Sequence, residues 1–311
     1  MSQAAAGTDE GELNQAARKV LLDALIALEN HREALTVVGA QAVYLRTIEA
    51  AISSASYTSD GDISIDPEVL GEQPLLEEAM HAAGFTLKLD KNGKRQVGLW
   101  ERTEQVGEVE VSVEVDLLVP SNLAPASKKR RSTEMPPHDG WAAKKVPGLE
   151  VAAVDRSLMT ISSLTPDDDR SVQAYVAGPA ALLVAKAYKL HERIIDAEKG
   201  RADRLSAKDA GDIYRIMSNV PARQVRSSFA TLCKDPRVGT VATEGLRLLR
   251  QLFGAAATPG TELAVKAMAG DIPESRIRVL VPTFVAGLAA PDTGAVAGPH
   301  PPRIGRQPAP E

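Results

Sequence analysis

Residues 109–119 narrow the possible folds more than any other segment. Val109, Val111, Val113, Val115 and Leu117 alternate there with Glu110, Ser112, Glu114 and Asp116. Successive side chains of a strand point to opposite faces, so this pattern predicts a strand with one buried and one wet face, ended by Pro120. Such a strand needs neighbours, and shorter patterns supply them. Residues 35–39 form an apolar run that reads as a buried strand, and Ile63 and Ile65 alternate with Asp62, Ser64 and Asp66 as a strand with one wet face. Residues 85–89 and 96–101 flank the turn Asp90-Lys91-Asn92-Gly93 as a hairpin. Residues 149–154 and 158–164 read as two more short strands. Residues 121–147, with prolines, basic residues and Gly140-Trp141, read as one long loop.

Helical spacing governs the rest. In residues 12–32, Ala16, Val20, Leu21, Ala24, Leu25 and Leu28 recur on one face. Gly39 opens a second helical stretch at 40–51, and a third at 72–83 ends at Gly84. The composition changes at Pro166. From Gly178 onward every pattern is helical: 179–195, 207–218, 222–232, 240–253, 262–269 and 273–289. Strands first and helices later predict an α+β chain rather than alternating α/β units. A length of 311 residues fits two domains, at roughly 100–200 residues each. The expected division is a mixed sheet domain over 12–165 and a helical domain over 166–290. Residues 1–11 and 291–311 are expected to be disordered.

Several classes of chemistry lose support. The chain carries a net charge of −5, so no global positive field drives nucleic-acid binding. The one basic run, Lys128, Lys129, Arg130 and Arg131 with Lys144 and Lys145 beyond it, reads either as a solvated loop or as a local phosphate contact. Aromatics make up 4% of residues, which suits cores of Ala, Val, Leu and Ile and suits base stacking poorly. Trp141 reads as a packing anchor, with base stacking as the alternative. Cys233 stands alone, which removes an intramolecular disulfide and a cysteine-based zinc site. No P-loop and no Gly-X-Ser-X-Gly is present, and His31, His81, His138, His191 and His300 show no metal-ligand spacing. The absence of an apolar leader or a membrane-length apolar run predicts a cytoplasmic chain without a membrane partner.

The residues that carry chemistry are acids. Asp60 and Asp62 stand two apart on an expected strand, so both reach one face, and Gly61 between them leaves the other face bare. Asp116 lies on the polar side of the later strand. If the two strands pair, about 4.8 Å separates their backbones and three carboxylates crowd together. Only cations relieve that repulsion, and oxygen ligands without His or Cys suit Mg²⁺ or Mn²⁺. The plainer reading is that such acids decorate solvent-facing strands, and Asp66, Glu110 and Glu114 are candidates for the same reading. The preceding segment, Leu35-Thr36-Val37-Val38-Gly39-Ala40, favours the metal reading. It is a strand, a glycine and a helix start, and free N–H groups at a helix start suit a phosphate.

Val38-Gly39-Ala40, then Asp60-Gly61-Asp62-Ile63, then Val115-Asp116-Leu117 resembles the nucleotidyltransferase superfamily. Ala40 leaves the backbone N–H free but offers a phosphate no hydroxyl. The helical half extends the resemblance: Lys186 and Lys189 on one helix, then Lys208-Asp209-Ala210-Gly211-Asp212-Ile213, look like the AbiEii-like toxin-type nucleotidyltransferases of bacterial abortive-infection systems. The likeness spans about residues 35–220. It implies a nucleotidyltransferase-type mixed sheet with flanking helices, followed by an all-helical C-terminal domain. It also implies transfer of a nucleoside monophosphate from an NTP to an acceptor hydroxyl. Asp60, Asp62 and Asp116 would hold Mg²⁺ or Mn²⁺, and Lys186, positioned by Asp209, would offset developing charge. Gly39, Ala40, Ser59 and Lys189 would contact the nucleotide. An RNA acceptor such as tRNA, and an antitoxin partner, are part of the same expectation. A small-molecule nucleotidyltransferase of the antibiotic type and a catalytically silent binding module are the alternatives.

Overall fold

The computed structural model describes residues 10–47, 58, 60–125 and 132–288. Ser59, the basic run 128–131, part of the second expected helix and both expected disordered ends beyond Glu10 and Leu288 lie outside them. The amphipathic stretch near the start folds as α1 (Glu10–Ala27), with Ala17, Val20, Leu21, Leu22 and Ala24 fully buried. The expected helix to residue 32 gives way to a 3-10 turn at Glu29–Ala34. There the buried His31 bonds the Pro74 carbonyl at 2.7 Å and the chain turns toward the sheet. Strand β1 (Leu35–Val38) follows, then α2 (Gly39–Arg46), β2 (Asp60–Ile65), α3 (Leu76–Ala82), β3 (Thr86–Leu89), β4 (Arg95–Val106) and β5 (Val109–Pro120).

The expected loop 121–147 contains a strand, β6 (Lys144–Val146), which pairs in parallel with the end of β5. It continues the line of β4, which leaves β5 beyond Leu99. Gly98 makes the crossing possible: its φ is +67°, and a Cβ there would stand 2.5 Å from the Lys144 nitrogen. The expected strand at 149–154 is instead a 3-10 turn, Glu150–Ala153. The buried Glu150 carboxylate accepts the Gly148 and Asn122 N–H groups at 2.8 and 2.9 Å, which stabilises a turn. Strand β7 (Arg156–Ser162) follows. The sheet also runs past the expected boundary at 165: β8 (Ser171–Ala177) lies between β1 and β7. The remaining described residues are mainly helical: α4 (Pro179–Glu198), α5 (Lys208–Asn219), α6 (Ala222–Leu232), α7 (Gly239–Phe253), α8 (Pro259–Ala267) and α9 (Glu274–Gly287). The protein is thus α+β, with a mixed sheet and its helices gathered toward the C-terminus. Among the described residues, no helix is long and apolar enough to cross a membrane.

The sheet order is β3-β4-β5-β2-β1-β8-β7, with β6 against β5. Strand β2 runs antiparallel to β1 and parallel to β5, so it is covered on both edges. Helix α1 fills one face, where a Cβ on Gly61 would meet Leu21 at 3.2 Å. Register partners point to the same side of a sheet, so Val38, Asp62 and Asp116 form one row on the opposite face. The expected wet face of β2 is only partly wet. Ser64 and Asp66 are buried, and Asp66 accepts two hydrogen bonds from Arg237, at 2.8 and 2.9 Å, which ties the sheet to the helical half.

Candidate active site

The row of register partners becomes a site because Gly39 has no side chain. Strand β1 turns into α2 at this residue with φ at +68°, and a Cβ there would sit 1.9 Å from Asp62 Oδ2. The Asp62 carboxylate therefore occupies the space that any other residue would fill. Asp116, its register partner across the β2–β5 pair, stands beside it, and Asp60 projects from the same face two residues before. The buried Thr58 donates its hydroxyl proton to Asp60 Oδ1.

Burial, then the charges of Asp60 and Asp116, push the Asp62 carboxyl up to about 7, with Lys189 and Lys144 opposing. Burial also raises the Asp116 carboxyl, against Lys144. Asp116 Oδ1 is buried without a hydrogen-bond partner, whereas Oδ2 accepts from Lys144 Nζ at 2.8 Å. The acids are thus crowded and only partly compensated. An all-oxygen set with a spare carboxylate oxygen fits a divalent ion in chemistry. Among the described residues, no group of three or more His, Cys, Asp or Glu side chains stands ready to hold a metal as it is.

These acids line the floor of a cleft of about 510 Å³. Its far wall is α4, which presents Lys186, Lys189 and Arg193, and β6 adds Lys144 and Lys145. Helix α4 can face the sheet because its N-terminus is anchored. Asp155 accepts the Ala181 N–H at 2.8 Å, and Gly178 leaves room for that carboxylate. The two lysines differ sharply. Lys186 is buried, bonded to Asp212 at 2.6 Å and Asp209 at 3.3 Å. Burial alone would lower its ammonium, but Asp212 and Asp209 outweigh burial and hold it above its ordinary value. The side chain of Lys189 is 51% exposed and stands 3.3 Å from Asp209. Asp209 also accepts from Arg193 at 2.7 Å. Burial alone would raise its carboxyl, yet Lys186, Lys189 and Arg193 keep it well below the usual range.

Of the residues expected from sequence, Gly39, Asp60, Asp62, Asp116, Lys186 and Lys189 line the cleft together. Asp209 lies behind them, bonded to the lysines. Ala40 is buried in α2 and does not line the cleft, so only its backbone could take part. Lys144 was visible in sequence only as part of a basic loop. A three-residue strand is too short to show a period. Neither protein-family models nor curated proteins nor solved structures give a significant match to the chain.

Proposed function

We propose that this protein is a metal-dependent nucleotidyltransferase that moves a nucleoside monophosphate from an NTP to an acceptor hydroxyl. The observation that carries the reading is the Asp62–Asp116 register pair, opened by Gly39 and faced across one cleft by a wall of cations. Asp60, Asp62 and Asp116 would hold Mg²⁺ or Mn²⁺, which when bound polarises the reacting phosphate and lowers the pKa of the attacking hydroxyl. In the reaction, the acceptor oxygen bonds to the α-phosphorus, the bond to pyrophosphate breaks, and the acceptor proton passes toward Asp116. Helix α2 opens at Gly39 on the cleft, and no side chain caps its first N–H groups, which suits a phosphate. Lys189 is the cation best placed to meet the leaving pyrophosphate, because half of its side chain is open. Lys186, clasped by two carboxylates, contributes its charge from beneath and fixes Asp209 in place.

RNA, including tRNA, is the acceptor class we favour, and a cognate antitoxin belongs to the same proposal; both rest on the resemblance of motifs alone. The test is incubation with each α-labelled NTP, Mg²⁺ and total RNA, with and without chelator. Label entering RNA only when the metal is present supports the reading, and label in a small-molecule fraction moves the acceptor class. One observation favours a silent binding module: Lys144 already neutralises one oxygen of Asp116. NTP binding without transfer to any acceptor would decide for that module.

A further inference from the structure

We infer that Lys144 is a resident counter-cation of Asp116 which a divalent ion must displace, so that the metal site is closed by the chain's own ammonium until metal arrives. The inference rests on the nucleotidyltransferase reading of the acids. Three observations carry it. Lys144 Nζ lies 2.8 Å from Asp116 Oδ2, within the row that holds Asp62, while the other oxygen of the same carboxylate is buried and unpaired. The backbone of Lys144 is held from both sides, by Leu118 of β5 and by a bridge to Ser132, and Gly98 lets it approach. The ammonium is therefore delivered to one place by fixed backbone, on a stem of rotatable bonds that lets it leave. Finally, its side chain is 27% exposed and Asp116 20%, so exchange requires no opening of the core.

The chemistry is a simple exchange. An ammonium carries a single positive charge and donates hydrogen bonds only, so Lys144 offsets one of the crowded carboxylates and leaves the others uncompensated. A divalent ion brings twice the charge and accepts oxygen ligands directly, so it would compensate Asp60, Asp62 and Asp116 further than one lysine does. Once released, Lys144 remains on the cleft wall beside Lys145 and becomes available to an anionic ligand.

The test uses the full chain and Mn²⁺ alone, titrated by calorimetry into wild type, Lys144→Gln, Lys144→Arg and Lys145→Gln. Lys145 lines the same cleft, so its variant removes an equal charge without breaking the Asp116 pair. If Lys144 competes with metal, Lys144→Gln binds Mn²⁺ about fivefold more tightly than wild type, in line with the worth of a partly exposed ion pair. The arginine variant keeps the competitor and binds no more tightly than wild type, and Lys145→Gln stays within about twofold of it. The metal-free melting temperature of Lys144→Gln also falls and recovers on Mn²⁺ addition. Equal affinities for Lys144→Gln and Lys145→Gln overturn the inference and leave the metal site standing. No Mn²⁺ binding in any of the four proteins overturns the metal reading and the inference together. Should Lys144→Gln fail to fold, Lys144→Met carries the same comparison.

Discussion

Asp62 is held in the folded protein at a cost, and that cost sets a direction for pH. Its carboxyl is raised from the ordinary 3.8 to about 7, first by burial and then by Asp60 and Asp116. Without metal, the native state therefore binds more protons than the unfolded chain between those values. The stability that this carboxyl contributes is fully present below about 4, falls as pH rises through that window, and is lost above about 7. Asp62→Asn removes the charge. It should melt higher than wild type at pH 8, by about 2–4 °C for each kcal/mol of repulsion relieved, and close to wild type at pH 4. Thermal unfolding at the two pH values, in chelator, checks this. Lys186 and Lys189 separate structure from chemistry in the same way. Lys186→Met leaves Asp212 buried without its ammonium, which should cost about 3–5 kcal/mol in urea unfolding. Lys189→Ala touches an exposed side chain, so stability should change by less than about 0.5 kcal/mol. Its nucleotide transfer should nonetheless drop, as label transfer from NTP would show. Normal transfer by Lys189→Ala would move the phosphate contact to Lys144, Lys145 or Arg193.

Two junctions between elements shape the cleft, and each depends on a glycine against a carboxylate. At the turn from β1 into α2, Gly39→Ala faces both a left-handed φ and the Asp62 oxygen. The backbone alone should cost about 1–2 kcal/mol, and the carboxylate must also move. The expected result is lower stability together with weakened Mn²⁺ binding, measured on one preparation by denaturant unfolding and calorimetry. At the start of α4, Asp155 holds the first turn beside Gly178. Asp155→Ala should lose about 1–2 kcal/mol, the usual worth of a lost helix cap, measured by the same unfolding. Elements with long regular patterns were legible in sequence, as β5 and the six helices after Gly178 show. Short ones were not. Residues 149–154 carry an apolar run that fits a strand or a turn equally well, and only the bonds to Glu150 decide. Residues 171–177 alternate Val172, Ala174 and Val176, but they follow three aspartates in a segment whose composition had already turned polar.

Across the whole molecule, the acids could be named from spacing, but their meeting could not. Nothing in the order of residues says that β2 inserts between β1 and β5, and that insertion makes Asp62 and Asp116 register partners. Nor does spacing show that β6 returns to β5 and brings Lys144 to Asp116, because that contact closes over 28 residues of chain. Gly39, by contrast, was legible as the break between strand and helix, though its role as the space for Asp62 was not. The helical half contributes the cationic wall, and Arg237 bonded to Asp66 keeps it joined to the sheet. On the proposed reading, these parts make one divalent-metal site for an NTP. Anomalous diffraction from crystals grown with Mn²⁺ and a non-hydrolysable NTP would locate that ion. The expected result is a manganese peak between Asp62 and Asp116, with the triphosphate reaching toward Lys189. Clear density for the nucleotide away from these acids, with no manganese at Asp62, would contradict it.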